Sequence, residues 1–131
     1  MSPCAQVICD AAKPPSDLPI DTWIEREVYL GGDSDLKGPV SFEFLPMVRF
    51  FLRACQDPQV RVCDLMCSAQ SAKTKTVELY LIHKLVNNPG PTIWYTDTQE
   101  SAKQHSQTRL YGDLHGCGLV RDKLPADRHR Q

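Results

Sequence analysis

The stretch Asp64-Leu-Met-Cys-Ser-Ala-Gln-Ser-Ala-Lys-Thr-Lys-Thr-Val-Glu78 runs from an apolar segment through CSAQSAKT into what reads as a helix. Before and through it, VRVCDLMC (60–67) is short, apolar and Val-rich, as strands are. After it, KTKTVELYLIHKLVNN (73–88) sets Val77, Leu81 and Leu85 in one helical row. A strand that turns through a short loop into a helix is the setting of a phosphate loop, G-x-x-x-x-G-K-[ST]. There, backbone N–H groups converge on phosphate oxygens and the helix presents the positive end of its dipole. Aligned on Lys73-Thr74, the two glycine positions hold Cys67 and Ala72. The stretch fails as a glycine motif and passes as a strand–loop–helix unit. The competing reading is a plain solvated helix start capped by Ser68 or Ser71.

Working outward, Asn88-Pro89-Gly90-Pro91 stops the helix, and TIWYTD (92–97) reads as a second strand. A helix follows from about Thr98, with Thr98 or Asp97 as cap and Ala102, His105 and Leu110 near one face. Strand, loop, helix, strand, helix is the order of a parallel α/β unit, so the expected fold class is α/β, a parallel sheet with flanking helices. On the other side, Pro46 suits the first position of a helix PMVRFFLRACQD that stops before Pro58, with Met47, Phe50, Phe51 and Ala54 as its core stripe. Further back, DTWIEREVYL (21–30) reads as a short amphipathic helix capped by Asp21 and ended by Gly31-Gly32, with Trp23, Ile24, Val28 and Tyr29 apolar. Residues 1–19, with Pro3, Pro14, Pro15 and Pro19, read as a disordered lead-in.

A length of 131 residues suits one small domain, and 41% hydrophobic with 24% charged residues is ordinary globular composition. The formal net charge of -1 gives no general attraction to a nucleic-acid backbone. The N-terminal MSPCAQVICDAAKPP has neither the basic start of a signal peptide nor the length of a membrane span, so a cytoplasmic protein with no membrane partner is expected. On that expectation Cys4, Cys9, Cys55, Cys63, Cys67 and Cys117 are reduced thiols, and their spacings lack the C-x2-C pairs of zinc sites. His83, His105, His115 and His129 have no partner at a spacing that forces a catalytic pair. Trp94-Tyr95 reads as packing, and the basic tail with Arg121, Lys123, Arg128 and Arg130 reads as a solvated terminus.

The wider stretch SFEFLPMVRFFLRACQDPQVRVCDLMCSAQSAKTKTVELYLIHKLVNNPGPTIWYTDTQESAKQHSQTRL resembles the N-terminal ATPase region of tailed-phage terminase large subunits of the GpA type. The positions that carry the resemblance are Pro46, Ser68-Ala69-Gln70, Lys73-Thr74, Pro89-Gly90-Pro91, Thr96, Ala102-Lys103 and Arg109-Leu110. Trp23 and RDKLPADRHR extend it over roughly residues 22–130. The family uses a loop of the form S-A-Q-x-G-K-T, so the missing first glycine is part of the likeness and Ala72 is the departure.

The resemblance implies a partial P-loop NTPase-type sheet, with 20–131 as an incomplete N-terminal portion of a terminase-like ATPase domain. It implies ATP and Mg²⁺ as cofactors, bound by Ser68, Ala69, Gln70, Ser71, Ala72, Lys73 and Thr74. Lys73 would reach the β- and γ-phosphates, Thr74 would ligand Mg²⁺, Gln70 would sense the γ-phosphate, and the N–H groups of Gln70 to Lys73 would form the nest. If the position of Ala72 requires positive φ, its methyl costs on the order of 1–2 kcal/mol. The implied partners are viral DNA, a small terminase subunit and the portal, in the host cytoplasm. No apolar strand ending in Asp-Glu follows residue 97, so the acidic hydrolysis element is expected to be absent, as is the nuclease that cuts the concatemer. Asp64, charged within an expected buried strand, is a second departure. The alternatives are a non-catalytic remnant or interaction module, and the front of a helicase-like P-loop protein.

Overall fold

The computed structural model describes residues 2–5, 14–31, 37–121 and 124. Parts of the lead-in (1 and 6–13, with Cys9), Gly32 and the basic residues beyond Arg121 lie outside the described residues. Helix α1, Ile20–Glu27, follows Pro19 and buries Ile20, Trp23 and Ile24, which the i, i+3, i+4 spacing gathers on one face. It ends at Val28, which is already extended, so the chain leaves the helix before the glycines that were expected to stop it. Asp21 does not cap this helix. Its buried carboxylate accepts two hydrogen bonds from Arg53, from Nε at 3.0 Å and from Nη2 at 2.8 Å.

Arg53 belongs to α2, Met47–Gln56, and one turn earlier Arg49 donates to Glu25 at 2.8 Å. Asp21 pairs with Arg53 and Glu25 with Arg49, so the two helices run antiparallel with two polar rungs between them. The rungs fix the rotation of α2. Val48 and Leu52 turn inward, while Met47 and Phe50 stand 57% and 77% exposed. The expected stripe of Met47, Phe50, Phe51 and Ala54 is therefore corrected: periodicity marked a helix, and the ion pairs chose a neighbouring face.

Helix α3, Lys73–Asn87, packs against both α1 and α2 through Leu79 and Ile82, with His83 edge-on to Trp23 at 5.0 Å. The row Val77, Leu81 and Leu85 is not the buried one, and Leu85 is 40% exposed. A helix apolar around much of its circumference leaves its inward face to be set by its neighbours. Ser16 donates its N–H to Asn87 Oδ1 at 3.0 Å, laying the chain before α1 against the end of α3.

The only strands among the described residues are β1, Tyr29–Leu30, and β2, Gly38–Pro39, paired antiparallel with Tyr29 opposite Pro39 and Leu30 opposite Gly38. The expected parallel sheet is thus not shown. Residues 60–67 and 92–97 are irregular and find no neighbour to complete a hydrogen-bond ladder, without which a strand does not form. Burial still alternates along Cys63 to Cys67, with Met66 exposed to 99%, Asp64 facing solvent, and Leu65 half-buried. The period of a strand is present there and its partner is not.

Thr98 caps α4, Gln99–Gln104, by accepting the Ser101 N–H at 3.1 Å, as expected. The helix then widens into a π-helical stretch, His105–Leu110, before α5, Tyr111–Gly116, and α6, Gly118–Arg121. An isolated bridge joins Val28 to Cys117, and Gly116 lies so close beneath the Tyr29 carbonyl that a Cβ has no room. The core gathers Ile20, Trp23, Ile24 and Val28 from the α1 side with Val40, Phe42, Leu52, Ile82, Cys117 and Val120. At about 1.5–3 kcal/mol per buried large aliphatic or aromatic side chain, this cluster is the main driving force of the fold. Cys4, Cys55, Cys63, Cys67 and Cys117 are free thiols. Burial, then contact with Cys63, pushes the Cys55 thiol up to about 12.

Candidate functional site

The loop before α3 is held by its own side chains: Ser71 Oγ donates to the Ser68 carbonyl at 2.8 Å. Gln70 and Ala72 both lie in the left-handed region, at φ 58° and 56°, and are the non-glycine residues with positive φ among those described. Left-handed residues interleaved with right-handed or extended ones turn successive N–H groups toward one concave side, the backbone pattern of an anion nest. Ala72 is also the N-cap of α3, and no side chain caps that helix. No acidic residue stands in its first turn, so the positive end of the dipole is left uncompensated.

This loop forms one wall of a cavity of about 710 Å³. Gln70, Ser71, Ala72, Lys73 and Thr74 line it; Ser68 and Ala69, the other two residues picked out in the sequence, do not. The chain after β2 contributes Val40, Phe42, Phe44 and Leu45 to the lining and α2 contributes Val48, an apolar group in which Phe44 is 82% exposed. The volume falls within the roughly 300–1,000 Å³ of small-molecule sites, and an apolar wall facing a few polar groups is their usual make-up.

Beneath the loop is an ionic network that sequence reading missed. Lys75, half-buried, pairs with Glu78 Oε2 at 2.7 Å and with Asp113, and both carboxylates are buried. His105 Nε2 meets the other Glu78 oxygen at 2.7 Å and stacks on Trp94 at 4.7 Å. Burial works against the charge of Lys75, but the hydrogen bonds it donates to Asp113 and Glu78 outweigh it and raise its pKa. Burial raises Asp113, the Lys75 hydrogen bond opposes, and the nearby Glu78 carboxylate adds to the rise. One signal was present: Lys75 and Glu78 are spaced i, i+3 on a helix, a spacing that pairs charges. Asp113 and His105 arrive from distant sequence and left no local trace.

Arg109 also lines the cavity, from the π-helical stretch. Met47 and Phe50 of α2 do not line it and face solvent instead. Among the described residues no cluster of three His, Cys, Asp or Glu could hold a metal ion, and no helix is long and apolar enough to cross a membrane.

Compared with known proteins, residues 34–131 match the family model described as phage terminase large subunit gpA, ATPase domain. No curated protein and no solved structure matches.

Proposed function

The chain belongs to the ATPase-domain family of phage terminase large subunits of the gpA type, and from that premise we propose that it binds ATP with Mg²⁺ in the cavity above α3. The observation that carries the reading is the pair of left-handed residues, Gln70 and Ala72, which turn the loop into an uncapped helix N-terminus on the cavity wall. The residues present fit the group. Lys73 offers a cation with no carboxylate partner among the described residues, and Thr74 a hydroxyl for Mg²⁺. The N–H groups from Gln70 to Lys73 serve as anion donors. Phe44, largely exposed on the cavity wall, provides the apolar surface that a base requires. The bound metal would neutralise phosphate charge.

In this reading the loop is a variant Walker A motif whose last glycine is Ala72, and the chain is a nucleotide-binding part of a DNA-packaging motor. Viral DNA, a small terminase subunit and the portal are its partners, in the host cytoplasm. A second reading, a nucleotide-binding module without turnover, is favoured by one observation. The carboxylates that line the cavity, Glu78 and Asp113, are both ion-paired to Lys75, and Glu78 also to His105, so each is engaged by a structural partner that competes with a water.

Titration of ATP with Mg²⁺ into the wild type, Lys73→Ala and Ala72→Gly tests the proposal. It expects binding by the wild type, loss in Lys73→Ala and a gain in Ala72→Gly. Equal, negligible binding by all three contradicts it. Phosphate release that depends on Lys73 would exclude the second reading.

A further inference from the structure

The cavity wall carries three cations, and they are not alike. Lys75 is half-buried and held between Glu78 and Asp113. Lys73 and Arg109 have no ion pair among the described residues, and they reach the cavity from different elements, the first turn of α3 and the π-helical stretch. Arg109 has a carboxylate four residues on, at Asp113, and on a regular helix that spacing favours a pair. Here the helix is widened over His105–Leu110, and the Asp113 carboxylate is turned inward to Lys75, with Asp113 only 3% exposed. Lys75 thereby removes the partner that Arg109 would otherwise take, leaving an exposed guanidinium on the wall of an anion-suited cavity. Single-turn π-helical widenings of this kind recur at functional sites.

We infer that Arg109 is a second cationic contact of the site, made to the terminal phosphate of a nucleoside triphosphate and absent with the diphosphate. The inference rests on the nucleotide-binding reading and adds to it the residue that tells the two nucleotides apart. A guanidinium suits the role because its planar fork donates to two phosphate oxygens at once, whereas the nest serves the phosphates that both nucleotides share and Lys73 spans the shared β-phosphate and the terminal one. The contact also ties the stretch from α4 to α5 to the nucleotide state.

The test is equilibrium binding of a non-hydrolysable ATP analogue and of ADP, each with Mg²⁺, to the full chain. Wild type is compared with Arg109→Ala, Arg109→Lys and Lys73→Ala, with thermal melting as a check that the exposed Arg109 can be replaced without loss of the fold. The inference expects Arg109→Ala to bind the triphosphate about tenfold more weakly, the size of one charge-assisted contact, with diphosphate affinity unchanged. Arg109→Lys should fall between, and Lys73→Ala should lose both ligands. Triphosphate binding by Arg109→Ala at the wild-type level, or an equal fall for both nucleotides, overturns the inference; with Lys73→Ala still deficient, the nucleotide-binding reading stands. A wild type that binds neither nucleotide overturns both.

Discussion

The carbonyl oxygen of Ala72 accepts two hydrogen bonds from Thr76, one from its backbone N–H at 2.8 Å and one from its hydroxyl at 2.9 Å. The left-handed residue is therefore fastened to the first turn of the helix it precedes, and its φ of 56° is held there despite the Cβ. An L-residue with a side chain is disfavoured in that region and glycine is not. Ala72→Gly should raise stability by about 1 kcal/mol, the strain relieved less the entropy that glycine adds to the unfolded chain. Equilibrium urea unfolding measures it, and an unchanged or lower midpoint would show that the loop stores no strain at this residue.

The pair between Asp21 and Arg53 predicts an acid-sensitive stability. Burial alone would raise the Asp21 carboxyl, but the Arg53 hydrogen bonds and charge, with the backbone N–H groups of Asp21 and Thr22, hold it below its usual value of 3.8. A carboxylate with a depressed folded pKa contributes stability above its unfolded pKa, and the contribution is lost as pH falls through the folded one. Asp21→Asn should lower the melting temperature by several degrees at neutral pH. The gap between variant and wild type should close as pH drops below about 4. A gap that stays constant with pH would contradict this role.

His83 acts over a higher pH range. It is 7% exposed, its Nε2 has no hydrogen-bond partner among the described residues, and burial lowers its pKa from 6.5. The unfolded chain then takes up a proton before the folded one does. Stability is full above pH 6.5 and declines as pH falls toward the folded value. His83→Phe should remove that part of the pH dependence while keeping an aromatic contact to Trp23. Urea midpoints measured across this range for both proteins decide it, and parallel curves would refute it.

Gly116 is required by its surroundings. A Cβ there would collide with the Tyr29 carbonyl, whereas one at Gly118 meets nothing within 4 Å. Gly116→Ala should destabilise by about 2 kcal/mol or more, and Gly118→Ala by within about 0.5 kcal/mol. Similar midpoints for the two variants would contradict the close approach of α5 to β1.

The helices were legible because apolar periodicity and punctuation by Pro, Gly and Thr98 are local signals, and α1 to α3 formed close to where they were read. Their inward faces were not legible. Asp21 with Arg53 and Glu25 with Arg49 are separated by 32 and 24 residues, and these pairs, not the helical period, selected Val48 and Leu52 over Met47 and Phe50. The strands failed for the opposite reason. Residues 60–67 kept strand composition and partial alternation, but a strand exists only through a partner, which a local window cannot supply. In the loop, spacing found Lys73 and Thr74 and raised the question of φ at Ala72, which the structure places in the left-handed region. Phe42, Phe44 and Arg109 entered the cavity from outside the motif, and only the fold brings them to it.

In the proposed complex, nucleotide phosphates lie against the loop from Gln70 to Lys73. Amide hydrogen exchange across residues 68–78, with and without ATP and Mg²⁺, tests it most directly, because the donors in question are backbone N–H groups. Nucleotide should slow exchange from Gln70 to Lys75, with no slowing in Lys73→Ala. Exchange in this segment that is unaltered by saturating nucleotide, or altered equally in Lys73→Ala, would contradict it.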